Sequence, residues 1–133
     1  MTLNDAIDQS IDANLRQIQS RIRAAAERAG RAPNSVALIA VSKKQSAEAI
    51  RAAYQAGQRA FGESYLQEAL NKMAQLTDLD IDWHFIGRIQ ANKTRQIAAQ
   101  FAWVHGLADP GHARRLSEQR PEATPPLNVC VQV

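Results

Sequence analysis

Apolar positions along this chain recur with two different periods, and the switch between them marks out its elements. Ile7, Ile11, Leu15, Ile18 and Ile22 follow one another at three- and four-residue steps, with Asp, Gln and Arg opposite them. That spacing predicts a long opening helix with one docking stripe, ended by Gly30 and Pro33. Residues 36–43, Val-Ala-Leu-Ile-Ala-Val-Ser-Lys, then hold small or apolar side chains up to the lysine, with no turn former. Such a run predicts a strand buried on both faces, as parallel strands under helices are.

Beyond Lys43 the pattern becomes regular. Ser46 is placed to cap a helix reaching about Ala56, with Gly57 as its left-handed exit. Residues 59–63 read as a short strand. Ser64 and Gln67 have the spacing of a capping box, for a helix whose inner face is Leu66, Ala69, Leu70 and Met73. After a turn at Asp78 and Asp80, residues 81–87 alternate Ile81, Trp83 and Phe85 with Asp82, His84 and Ile86. Residues 92–99 read as a short helix and 101–105 as a fourth strand. Asp109-Pro110 supplies an N-cap followed by proline at the first position of a helix running to about Gln119. Pro121, Pro125 and Pro126 end it before a fifth strand at 127–133. Five strands, each reached through a helix, are consecutive βαβ units, so the sheet is expected to be parallel with right-handed crossovers. An open doubly wound sheet and a barrel of strand-helix units both accommodate them. The turn after the first strand, Lys-Lys-Gln-Ser, lacks the glycines that let a dinucleotide's pyrophosphate approach, and the chain has no Walker-type loop.

Composition narrows the classes further. The 133 residues suit one domain able to bury a core, and 45% hydrophobic with 22% charged residues is an ordinary globular balance. A net charge of +3 comes from arginines spread over several helices, which favours a solvated surface over nucleic-acid binding. The opening residues lack the basic and apolar regions of a secretory signal, and no apolar run is long enough for a bilayer. Cys130 is the single cysteine, so no internal disulfide forms and a reducing cytoplasm is the expected setting. On its apolar strand, Cys130 is expected to be inert packing.

The candidate chemistry gathers at the carboxyl ends of the strands. Lys43 shares a strand face with Val41, Ile39 and Ala37. An amine closing an apolar face is expected to be withdrawn from water, which favours its neutral, nucleophilic form and suits a Schiff-base lysine. The plainer reading is a charged residue where a core strand meets water. Glu63 with Ser64, Gly87 with Arg88, and His105 with Gly106 occupy the corresponding ends of later strands, with His84 slightly deeper. His84, between Trp83 and Phe85, reads either as a hydrogen-bonded core residue or, by its opposite parity, as a group aimed into the site. Lys93 and Arg95 follow Asn92 at a helix start, a place that suits an anion; the plainer reading, and the favoured one, is a solvated face.

Ala40-Val41-Ser42-Lys43, Phe61-Gly62-Glu63-Ser64-Tyr65 with Gln67-Glu68, and Trp83-His84-Phe85-Ile86-Gly87 followed by Gln90 and Asn92-Lys93 resemble the bacterial YggS branch of the pyridoxal-phosphate homeostasis proteins. The likeness runs to Pro125-Pro126-Leu127-Asn128-Val129 and the fifth strand. It implies an α/β fold, a parallel (β/α) barrel of the TIM and alanine-racemase type, here incomplete with about five βα units after the amphipathic helix. Residues 1–133 are then expected to be the amino-terminal portion of a single barrel domain. The resemblance also implies that Lys43 holds pyridoxal 5′-phosphate (PLP) as a Schiff base, with Ser64 and His84 as further cofactor-binding positions. Ser64 stands where the family usually has asparagine. His105-Gly106-Leu107-Ala108 departs from the family's His-Ser or His-Thr, apolar, Asp pattern. The implied role is a PLP carrier without robust turnover that influences vitamin B6 and amino-acid balance, with PLP-dependent apo-enzymes as partners. A PLP-dependent racemase or decarboxylase is the alternative; a racemase needs a second acid or base, for which Tyr65, His84 and His105 are candidates. A cofactor-free scaffold is the third reading. Five strands where a closed barrel has eight leave two sheet edges open, so self-association is expected.

Overall fold

The computed structural model describes the backbone of residues 3–133, and the side chains from residue 6 onward except that of Ile7. The predicted place of Ile7 on the docking stripe therefore lies outside the described residues. The elements are α1 (Leu3–Arg28), β1 (Ala40–Val41), α2 (Ala47–Gln55), β2 (Ala60–Glu63), α3 (Leu66–Ala74) and β3 (Asp82–Phe85). A 3-10 turn (Ala91–Lys93), α4 (Thr94–Gln100), β4 (Trp103–Leu107), α5 (Pro110–Gln119) and β5 (Asn128–Val131) complete them.

Strands lie in the order β1-β2-β3-β4-β5, and every neighbouring pair is parallel. Each crossover therefore steps the same way, which places the crossover helices on one face; a doubly wound sheet reverses its strand order partway. The core shows the same thing. Phe61 packs with Ile50 of α2 and with Leu76. Phe85 and Val104 pack with Leu66 and Ala69 of α3, Ile97 of α4 and Leu116 of α5. The other face carries Val41, Gly62, His84 and Trp103 in one row of the register. This is the singly wound start of a parallel (β/α) barrel, with helices outside and that row lining the inside.

Two of the local signals that rest on a named side chain are met. Ser46 Oγ accepts from the Ala49 N–H at 3.1 Å, and Gly57 exits α2 at φ 106°. Asp109 accepts from the Gly111 N–H at 2.7 Å, with Pro110 in the first turn of α5. Other expectations need correction. Residues 36–43 are not a strand sandwiched on both faces: only Ala40 and Val41 pair, and Val41 is 53% exposed, because β1 is an edge with a neighbour on one side among the described residues. The capping box does not form. Tyr65 is the N-cap of α3, without a side-chain cap bond. Residues 92–99 divide into the 3-10 turn and α4. The fourth strand starts two residues late, since Phe101 turns into the helix-side core. Cys130 is exposed with the rest of β5, not packed.

The α1 stripe is also displaced. Ile11 and Leu15 pack against the α2 cluster and Ala26 is buried, but Ile18 is 43% exposed. Gln19 takes the inner position instead, donating to Gln58 Oε1 at 3.5 Å. Buried Gln58 in turn donates to the carbonyls of Leu38 and Ala60, both at 2.8 Å. One glutamine thus fastens α1, the lead-in to β1 and the start of β2, a role that apolar periodicity does not register.

Candidate functional site

The register fixes which side chains share the inner face. Beyond the row of Val41, Gly62, His84 and Trp103, the chain leaves β1 into the turn holding Lys43 and leaves β2 at Ser64, both at the carboxyl ends of the strands, while His105 continues β4. The last ladder bonds before these ends run from the Ser42 N–H to the Gly62 carbonyl and from the Ile86 N–H to the Glu63 carbonyl, both at 2.9 Å. Ile39 and Ile86 close over Gly62: a Cβ there would meet Ile86 Cδ1 at 3.2 Å and Ile39 Cγ2 at 3.3 Å. Gly87 lies hard against Ser64, where a Cβ would come within 2.2 Å of the Ser64 carbonyl oxygen. Only glycine lets the ends of β2 and β3 approach so closely.

Lys43 itself is exposed. The expectation of an amine withdrawn from water is not met, because β1 has shrunk to two residues and Lys43 lies in the turn that follows. That turn is closed by the Gln45 N–H to the Ser42 carbonyl at 3.0 Å, and Lys44 sits in it at φ 62°. A positive φ is where glycine is usual.

Glu63 does not join Ser64 at the rim. Its parity turns it to the helix side, where it is fully buried between β1 and α3. There Glu63 Oε2 accepts from Ser42 Oγ and from Lys72 Nζ, the latter at 2.8 Å. Lys72, likewise buried, also donates to the Ser42 carbonyl at 2.8 Å and to Glu68 Oε1 at 3.4 Å. Glu68 Oε1 accepts from the Lys44 N–H at 2.5 Å. The other Glu63 oxygen, Oε1, has no partner within the described protein. Sequence reasoning missed this network. Its signal was a lysine at an inner position of α3, two turns after an acid that ends a strand.

His84 faces inside and is only 7% exposed. Its ring stacks on Trp103, with centroids 5.5 Å apart and planes 5° from parallel. His84 Nδ1 and His105 Nε2 are 2.8 Å apart. Two imidazolium rings cannot make that contact, since each nitrogen would be a donor, so at least one ring is neutral. Burial first, and then the neighbouring His105, hold His84 below the ordinary histidine value, against a smaller upward pull from Asp82. The two histidines read separately in the sequence are therefore one pair, against a Trp103 wall. A separate cleft of about 740 Å³ opens beside them at the ends of β3, β4 and β5, lined by Arg88, Asp109, His112 and Gln132 among others.

Residues 13–133 match the family model of the alanine racemase N-terminal domain. The pyridoxal phosphate homeostasis protein of Pseudomonas aeruginosa is 57% identical over 124 residues, covering 93% of this chain and 54% of that protein. The protein of the same name from Escherichia coli K12 is 46% identical over 123 residues, covering 90% of this chain and 53% of its own. Among solved structures, PipY of Synechococcus elongatus with PLP bound superposes with a TM-score of 0.72 at 44% identity, covering 82% of this chain and 47% of that one. The chain spans about half the length of the relatives it matches.

Proposed function

The chain belongs to the family of the alanine racemase N-terminal domain, and from that premise we propose that it provides the lysine side of a PLP site in a protein that holds the cofactor and steadies its supply. PLP, when bound, supplies an aldehyde that condenses with an amine, forming a C=N bond and releasing water. The observation that supports this reading is Lys43 itself, exposed in the turn that follows β1 at the carboxyl end of the sheet. What the geometry offers is access for an aldehyde.

The donor set here fits the aldehyde and ring end of the group. Lys43 supplies the amine, Ser64 follows the neighbouring strand β2, and His84 stacked on Trp103 makes a flat wall on the inner face. Ser64 and His84 are accordingly assigned to the cofactor's surroundings and Lys43 to its attachment. In barrels generally the phosphate is gripped by loops after the seventh and eighth strands, so that end is not assigned to residues of these five. Relatives named for PLP homeostasis and a solved neighbour with PLP bound support PLP as the ligand of this fold. Delivery to PLP-dependent apo-enzymes in the cytoplasm, and association of copies through the open edges at β1 and β5, complete the proposal. Among the described residues no helix is long and apolar enough to cross a membrane.

The test is to mix the protein with PLP, follow the visible imine band, reduce with borohydride and map the labelled peptide. A label on Lys43 without amino-acid turnover is the expected result. A label on Lys44 or Lys72 overturns the assignment, the absence of any band supports a cofactor-free scaffold, and steady turnover lost on Lys43→Ala supports a racemase or decarboxylase.

A further inference from the structure

The two peptide groups flanking Lys43 are each held by a charged side chain from another element. On one side, the Ser42 carbonyl accepts from Lys72 Nζ at 2.8 Å, while the Ser42 hydroxyl donates to Glu63. On the other, the Lys44 N–H donates to Glu68 Oε1 at 2.5 Å. Lys72 joins the two holds, since its ammonium also touches Glu63 and Glu68. We propose that Glu63, Lys72 and Glu68 are positioning residues that set the direction of Lys43 by pinning the backbone on both sides of it. The inference rests on the cofactor reading of Lys43 given above.

Three features of the network make this more than ordinary packing. Glu63 and Lys72 are both buried, so the turn is tied to a rigid part of the fold by an ion pair that water does not loosen. The Ser42 carbonyl accepts twice, from Lys72 Nζ and from the Gln45 N–H that closes the turn, which uses both of its lone pairs. Lys44 holds φ 62° without being glycine. A side chain in that region is strained and persists only where its surroundings over-determine it. Glu68 is the group that does so here, and the Lys44 ammonium lies 5.9 Å from the Tyr65 ring centre on the same side. A reactive amine on a four-carbon stem is otherwise free to sample many directions. Fixing its Cα and both adjoining peptide planes removes the backbone share of that freedom and leaves only the stem to be ordered when an aldehyde arrives.

Glu68 is the residue to change, because it is partly exposed and its loss strands no fully buried charge. Glu68→Ala removes the acceptor, and Glu68→Gln keeps a carbonyl oxygen in its place. In Glu68→Ala/Lys44→Gly, glycine adopts the turn unaided. Two quantities are read: the rate at which the imine band grows with PLP, and exchange of the Lys44 amide hydrogen without cofactor. Glu68→Ala is expected to slow loading roughly tenfold and to speed amide exchange by about the same factor, at an unchanged melting temperature. Glu68→Gln and the double variant are expected to load at close to the original rate. Unchanged loading in Glu68→Ala, with Lys43 still labelled, overturns the positioning role and leaves the cofactor reading intact. If the unaltered protein takes no label at Lys43, the cofactor reading fails instead. Amide exchange then judges the pinning alone: equal exchange in Glu68→Ala overturns it, and faster exchange restored by Glu68→Gln supports it.

Discussion

His84 shows how one side chain's surroundings translate into behaviour in solution. It is held below the ordinary value of 6.5 by burial first and by His105 second. β2 contributes Gly62 beside it, which carries no charge, and Asp82 on its own strand pulls weakly the other way. Folding therefore favours the neutral ring, and the unfolded chain binds the proton more readily. The stability this supplies is fully present above the unfolded value near 6.5 and is lost as pH falls through the lower folded value. Urea midpoints measured from pH 8 to pH 5 are expected to fall more steeply in the unaltered protein than in His84→Gln; equal slopes count against the account. Parity alone sent His84 to the inside, and that part was legible in the alternation of residues 81–87. Its bond to His105 was not, because contact between neighbouring strands depends on register, and register is not written in either strand by itself. Lys43 is the converse case. Its motif was legible, but its exposure follows from how short β1 is and from what lies beside it.

At the scale of elements, the ends of helices were read correctly where a side chain makes the cap, as Ser46 and Asp109 do. They were misread where backbone geometry decides, as at Tyr65. The same distinction separates the legible core from the illegible braces. Apolar periodicity finds Leu66 and Ala69, which are buried, but it has no way to mark Lys72 as an inner residue of α3, Gln58 as a latch, or Arg120. Arg120 draws α4 and the proline-rich connection together by donating to the carbonyls of Ala98 at 2.7 Å, Phe101 at 2.6 Å and Pro125 at 3.0 Å. Polar groups of this kind are costly to break because a buried partner is left behind. Lys72→Met leaves the Glu63 carboxylate buried without its cation, and the expected loss is about 3–5 kcal/mol in urea unfolding. Adding Glu63→Gln is expected to recover part of it by removing the stranded charge. If Lys72→Met alone is neutral, the pair does not brace α3 against β1.

At the largest scale, the five described strands leave two edges among the described residues, β1 and β5, where a further strand can add. β1 offers only two paired residues, and all four residues of β5 are exposed, Val131 at 71%. Edge strands in stable monomers are usually blunted by lysine, proline or a bulge. The β4–β5 ladder does carry an irregularity between Val104 and Leu107, yet Val129 and Val131 on β5 remain exposed, with Cys130 between them. An edge of unsatisfied N–H and C=O groups carrying apolar side chains pairs with whatever strand reaches it, and at high concentration another copy is the nearest source. Because β1 and β5 differ, joining one copy's β5 to another's β1 is a head-to-tail contact that extends or closes according to its rotation. Sedimentation is expected to show a weight-average mass that rises with concentration, and Val131→Lys, which places a charge on the open edge, is expected to lower that rise without moving the melting temperature. A monomer at every concentration removes the case for copy-to-copy pairing. A rise that Val131→Lys leaves untouched moves the contact away from β5, to the inner face around Trp103 or to the outward side of α1 at Ile18.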